Sequence, residues 1–236
     1  MRLRITLLLG MALAAAAPPD AAAEIPIGFG GQLTGPYAVS GERSRIAAQM
    51  AVRDLNEQGG VLGQKVTLIA ADDACGLRES VEAARELVAR GARFVVGHGC
   101  SHSSLLAAGI YETADVLMIT AFSTHPRLTE EGRRNVFRLI GRDDEQGRLA
   151  GDFLADHWAG ARIGVLHDGT TYGERLALET RAQLRARGVA EAVYERYKPN
   201  QADYGDLAAR LQRLEIDVLY VGGYAPDAAR ILRSLR

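Results

Sequence analysis

Short apolar runs and amphipathic helical stretches alternate along almost the whole chain. Ile25 to Phe29 reads as a first strand, followed by the turn-rich loop Gly30-Gly-Gln-Leu-Thr-Gly-Pro-Tyr37. The spacing predicts a helix from about Glu42 to Gln58, with Ile46, Ala47, Met50, Ala51 and Leu55 on one face and Gly59-Gly60 closing it. Val66 to Ala70 is a second strand. A helix over Ser80 to Arg90 then carries Val81, Ala84, Leu87 and Val88 inward. Phe94-Val-Val96 is a third strand, of the apolar kind covered on both faces; Gly97 and Gly99 follow, and a helix capped by Ser101 runs to about Ala114. Val116 to Thr120 and Val136 to Ile140 are further strands, separated by the loop Ala121-Phe-Ser-Thr-His-Pro126.

A second unit begins at Gly141-Arg-Asp-Asp144. Its first helix carries Leu149, Ala150, Phe153, Leu154 and Trp158, and the strand Ile163 to His167 follows. Asp168-Gly-Thr-Thr-Tyr-Gly173 opens a helix over Glu174 to Arg187, and a strand is expected over Glu191 to Tyr197. Next come a helix from about Tyr204 to Leu214, the strand Asp217 to Val221, Gly222-Gly-Tyr224, and a helix over Ala228 to Arg236 with no closing strand. Strands alternating with helices at this spacing predict an α/β protein of βαβ units and parallel sheets. The break-off within a βα unit predicts a chain truncated at its C-terminus.

The first residues change the picture. Arg2 and Arg4, the apolar run Ile5 to Ala17 and the small residues Ala21-Ala22-Ala23 read as an export signal over residues 1–23, with a retained membrane anchor as the alternative. No later stretch is long and apolar enough for a membrane span. A formal net charge of -1 gives no electrostatic case for nucleic acid. Export makes Cys75 and Cys100 a disulfide candidate, with two buried free thiols as the alternative. Closing a loop of this size stabilises a fold by roughly 3 kcal/mol in the chain-entropy model.

Candidate chemistry gathers at strand ends. The helix beginning near Ser101 presents free N–H groups at the carboxyl end of a strand, an arrangement that attracts an anion such as a carboxylate. Thr124 has a hydroxyl suited to bridging a carboxylate and an ammonium, and Tyr172 and Tyr224 offer flat walls with a polar tip. Each has a plainer reading: helix cap, turn residue or half-buried surface aromatic. His98, Cys100 and His102 alternate as in a metal site or a thiol nucleophile with its base, but no fourth ligand is evident and Cys75 competes for Cys100. The sequence contains no Gly-x-Ser-x-Gly elbow, His-Glu-x-x-His or Walker loop, so catalysis is not supported, and no cofactor is expected.

Asp72-Asp-Ala-Cys75, Gly97-His-Gly-Cys-Ser101, Ile110-Tyr-Glu112, Leu117-Met-Ile-Thr120, Val165-Leu-His-Asp168 with Tyr172-Gly173, and Gly222-Gly-Tyr224 resemble, in this order, the periplasmic leucine/isoleucine/valine-binding protein family. The resemblance implies a two-lobed type I periplasmic binding fold, with 24–141 as the ligand-binding lobe and 142–236 as an incomplete second lobe. It implies a receptor in the periplasm that delivers a branched-chain or other small amino acid, or an amide, to membrane ABC permease subunits, a monomer and not an enzyme. It also implies a Cys75–Cys100 disulfide, ligand contacts at Ser101 and Thr124, and Phe122 and Ser123 beside the ligand side chain. Tyr172 and Tyr224 would close from the second lobe, and Cys100 and Ser40 complete the candidate set.

The departures reshape the side-chain pocket. The family has small residues where Phe122 stands, a larger apolar residue at Gly99, and, in leucine binders, a tyrosine at Ser40. Its ammonium-binding acid falls just beyond the last residue here. The rival readings are a ligand-sensing domain of a signalling receptor and an exported α/β enzyme using His98 and Cys100.

Overall fold

The computed structural model describes residues 24–236, and the expected export signal lies outside the described residues. The first unit comprises β1 (Ile25–Gly31), α1 (Ala38–Glu57), β2 (Val66–Asp72), α2 (Leu77–Ala89), β3 (Phe94–Gly97), α3 (Ser101–Thr113), β4 (Leu117–Thr120), a single turn α4 (Arg127–Glu130) and β5 (Val136–Arg138). The second comprises α5 (Asp143–Trp158), β6 (Ile163–His167), α6 (Thr171–Ala186), β7 (Val193–Arg196), α7 (Gly205–Arg213), β8 (Val218–Gly222) and α8 (Ala225–Ser234).

All strand pairs in the two sheets are parallel, in the orders β2-β1-β3-β4-β5 and β7-β6-β8. Strand order reverses between β1 and β3, and again between β6 and β8. Helices leave in opposite directions at such a switch point and open a crevice at the carboxyl ends of the strands. Gly30 pairs with Gly97 there in the first sheet, and His167 with Gly222 in the second.

Under α2 and α3 the first core holds Ala84, Leu87, Val95, Ala107, Tyr111 and Met118. The other face of that sheet is open, which corrects the expectation for β3. Val95 is buried, but Phe94 is 48% exposed and Val96 38%. Helix α1 covers only the β1–β2 side of this face, and its own apolar residues Ile46, Met50 and Leu55 remain partly exposed. β6, by contrast, is buried at all five residues, between Ala177 and Leu184 on one side and Leu207, Leu211 and Ile231 on the other.

The expected buried stripe of α5 is also corrected. Leu149, Phe153 and Trp158 are exposed; Leu154 is buried as expected, together with Gly147, Gly151 and Ala155. A methyl group at Gly147 would stand 2.9 Å from the Thr180 nitrogen, and one at Gly151 2.9 Å from the Thr180 carbonyl oxygen. The two glycines therefore let α5 and α6 approach backbone to backbone, and close packing displaces the larger residues outward. Helix α6 starts earlier than its hydrophobic pattern because the Thr170 side chain caps it, accepting from the Gly173 N–H at 3.0 Å. Among the described residues no helix is long and apolar enough to cross a membrane.

Candidate functional site

The loop between β3 and α3 is fixed from beneath. The His98 carbonyl oxygen accepts from Thr120 Oγ1 at 3.0 Å and from one of the Ser104 and Ser123 hydroxyls, both 3.1 Å away, while the other donates across the 2.6 Å hydrogen bond between the two serines. The His98 ring is fully buried between Asp73 Oδ2, 2.7 Å from Nδ1, and the Tyr111 hydroxyl, 2.9 Å from Nε2. Nδ1 donates to the Asp73 carboxyl oxygen, and Nε2 shares a hydrogen bond with the Tyr111 hydroxyl, which burial keeps protonated. A methyl group at Gly30 would stand 2.6 Å from this ring, so glycine is required where β1 crosses it.

Cys75 and Cys100 form a disulfide, with Cα atoms 5.7 Å apart. Cys100 thus has no thiolate, and His102 Nε2 donates to the Cys75 carbonyl at 2.9 Å. These contacts divide the His98/Cys100/His102 cluster among three different partners. Cys100, not Ser101, occupies the cap position of α3; Ser101 is its first helical residue, 2% exposed. The N–H groups of Ser101, His102 and Ser103 therefore have no acceptor within the helix.

At the end of β4, Thr120 Oγ1 accepts from the Phe122 and Ser123 N–H groups at 3.2 and 3.1 Å, turning the chain so that Thr124 faces the second unit. The Thr124 carbonyl accepts from the Asp143 N–H at 3.0 Å, which ties the two units together. Among the described residues, Thr124 Oγ1 and both carboxyl oxygens of Asp143 are buried without a well-aligned hydrogen-bond partner. Burial pushes the Asp143 carboxyl up to about 6, against the opposing pull of the Thr124 hydroxyl, Arg138 and Arg175.

From the second unit, Asp168 ends β6 and turns the chain into α6 through Oδ1, which accepts from the Thr170 N–H at 2.8 Å and the Thr170 hydroxyl at 2.7 Å. Its buried Oδ2 has no partner among the described residues, and burial holds its carboxyl above the usual range. The Tyr224 ring, just beyond β8, lies 5.3 Å from the Tyr172 ring and 4.3 Å from that of Tyr37, which comes from the loop after β1. Burial pushes the Tyr37 and Tyr172 phenols up to about 12, so the cluster is neutral at physiological pH.

These residues enclose a cavity of about 930 Å³ between the two switch points. Ser40, Ser101, Phe122, Thr124, Tyr172 and Tyr224 line it, as do Gln32, Tyr37, Arg43 and Gln146, which the sequence reading did not select. Two expected residues do not line it. Cys100 is engaged in the disulfide, and Ser123 faces the His98 carbonyl. Gln32 and Tyr37 carried one usable signal, their place in the turn-rich loop directly after the first strand. An apolar cavity of about 410 Å³ lies beside this one, between α1 and the sheet, lined by Ile27, Phe29, Ala51, Leu55 and Val96. It is the gap beneath the partly exposed α1, and it shares Gln32, Ser44, Gly99 and Phe122 with the larger cavity.

The chain matches the periplasmic binding protein family over residues 24–236. It is similar to the Leu/Ile/Val-binding protein homolog 1 of Brucella suis, 37% identical over 99% of this chain and 63% of the relative. It is 38% identical to a leucine-, isoleucine-, valine-, threonine- and alanine-binding protein of Pseudomonas aeruginosa, over 96% of this chain and 61% of that one. The chain thus spans less than two thirds of the length of either relative. Among solved structures, an ABC transporter substrate-binding protein of Desulfitobacterium hafniense in complex with leucine superposes with a TM-score of 0.67 at 29% identity, over 90% of this chain and 62% of that one.

Proposed function

This chain belongs to the periplasmic binding protein family, and we propose that it forms the binding cleft of an extracytoplasmic amino-acid receptor serving an ABC transporter. In this reading residues 24–141 and 142–236 are two lobes that close on the ligand about the crossing near Gly141, by a hinge motion. The protein is a periplasmic, monomeric receptor, not an enzyme, and it passes its ligand to membrane permease subunits.

The observation that carries the reading is the single cavity shared by Ser101 and Thr124 of one lobe and Tyr172 and Tyr224 of the other. A zwitterion loses much hydration on entering such a cleft, and fixed groups of matching polarity must replace it. The ligand carboxylate meets the hydroxyl of Ser101 and the free N–H groups at the start of α3. The ammonium meets Thr124 Oγ1, which has no hydrogen-bond partner among the described residues. The neutral phenols of Tyr172 and Tyr224 cover the ligand from the opposite side without adding charge.

A thermal-shift panel tests this with the disulfide intact. An amino acid that binds only the folded state raises the melting temperature with its concentration. A cooperative melt that no amino acid or small amide moves would refute the reading.

A further inference from the structure

Gln32 leaves the carboxyl end of β1 at the switch point, where both lobes meet the cavity. It is 8% exposed, and its Oε1 has no hydrogen-bond partner among the described residues. Buried amide oxygens nearly always have a donor, so this one calls for a donor supplied from outside the chain.

Two glycines make room for the side chain. A methyl group at Gly99 would collide with Oε1 and stand 2.8 Å from Nε2; one at Gly41 would collide with the Gln32 carbonyl and stand 3.2 Å from Cγ. The next residues anchor the loop, since the Leu33 N–H donates to Asp72 Oδ1 at 2.7 Å and the Thr34 hydroxyl donates to Asp72 Oδ2 at 2.5 Å. The amide is thus held on the cavity wall beside Ser40, Ser44 and Ser101, and the space that Gly99 leaves is filled by a polar group.

We propose that Gln32 is a specificity-determining residue which reads the ligand side chain, and that the preferred ligand is an amino acid whose side chain carries a hydrogen-bond donor, a carboxamide foremost. The proposal rests on the cleft being an amino-acid site. A primary amide facing Gln32 donates to Oε1 and accepts from Nε2, a reciprocal pair that satisfies both groups. An aliphatic side chain in the same place leaves Oε1 buried and unpaired, and a site built for a polar group rejects such a ligand more strongly than size alone would.

The test is calorimetric titration of the wild type and Gln32→Met, a variant of similar shape without the amide, with L-glutamine, L-asparagine, L-leucine and L-alanine. Expected for the wild type is an amide amino acid binding at least about ten-fold more tightly than leucine. Gln32→Met should erase that preference and leave alanine, which has no polar side chain, within about three-fold of its wild-type affinity. Leucine binding as tightly as the amides to the wild type would overturn the proposal, as would an equal loss for alanine in the variant. Binding of none of the four would remove the amino-acid site itself, a different failure with a distinct signature.

Discussion

The Tyr37 ring lies 4.3 Å from the Tyr224 ring, centroid to centroid, with the planes tilted by 43°. One ring comes from the loop after β1 and the other from the end of β8, so the pair joins the two units on the wall of the cavity. Tilted aromatic pairs of this kind contribute about 0.5–1.5 kcal/mol beyond the area they bury. Tyr37→Ala is expected to weaken ligand binding by about three- to ten-fold, read by calorimetry. Tyr37→Phe, which keeps the ring, is expected to bind nearly as the wild type. Equal losses in the two variants would assign the effect to the hydroxyl instead.

Asp143 predicts a stability change with a definite sign. Its carboxyl is pushed from 3.8 up to about 6, first by burial and then by Asp144, against Thr124, Arg138 and Arg175; Tyr172, Tyr220 and Tyr224 lie in its field. A raised carboxyl contributes stability that is complete below the unfolded value and is lost as the pH rises through the folded one. Asp143→Asn cannot ionise and escapes that loss. Urea unfolding should show the variant more stable at pH 7.5 by about 3 kcal/mol, with the gain largely gone near pH 4. A gain independent of pH would contradict the account.

His98→Ala should be among the most destabilising changes in the first lobe. It strands the Asp73 carboxylate and the Tyr111 hydroxyl, both buried, and undercuts the loop that presents Ser101. Leaving a buried polar group without its partner costs about 1–3 kcal/mol, and more where the group is charged. A loss under about 1 kcal/mol in urea unfolding would show that the network is dispensable.

Much of this architecture was legible in the residues. Alternating strand and helix patterns located every strand to within a few positions, because short apolar runs such as Val165 and Leu166 in Ile163–His167 sit between glycine- and aspartate-marked turns. Six of the expected ligand residues, Ser40, Ser101, Phe122, Thr124, Tyr172 and Tyr224, line one cavity because all follow strand ends or open helices, where an α/β sheet exposes its chain. The α5 stripe misled for a physical reason. Gly147 and Gly151 have almost no hydrophobic weight, yet close helix contact selects them for the interior over Phe153 and Trp158. Gln32 and Asp143 were missed because a polar residue in a loop or at a helix start ordinarily faces water. Only the tertiary packing leaves their oxygens buried and unpaired.

The central claim is that a ligand spans the two switch points, held at Ser101 by the first lobe. Calorimetric titration of Ser101→Ala with the amino acid that most raises the wild-type melting temperature tests it most directly. A hydrogen bond to a charged group contributes about 1.5–3 kcal/mol, so the folded variant should bind roughly ten- to a hundred-fold more weakly. Unchanged affinity in a folded Ser101→Ala protein would place the ligand carboxylate elsewhere and contradict the account.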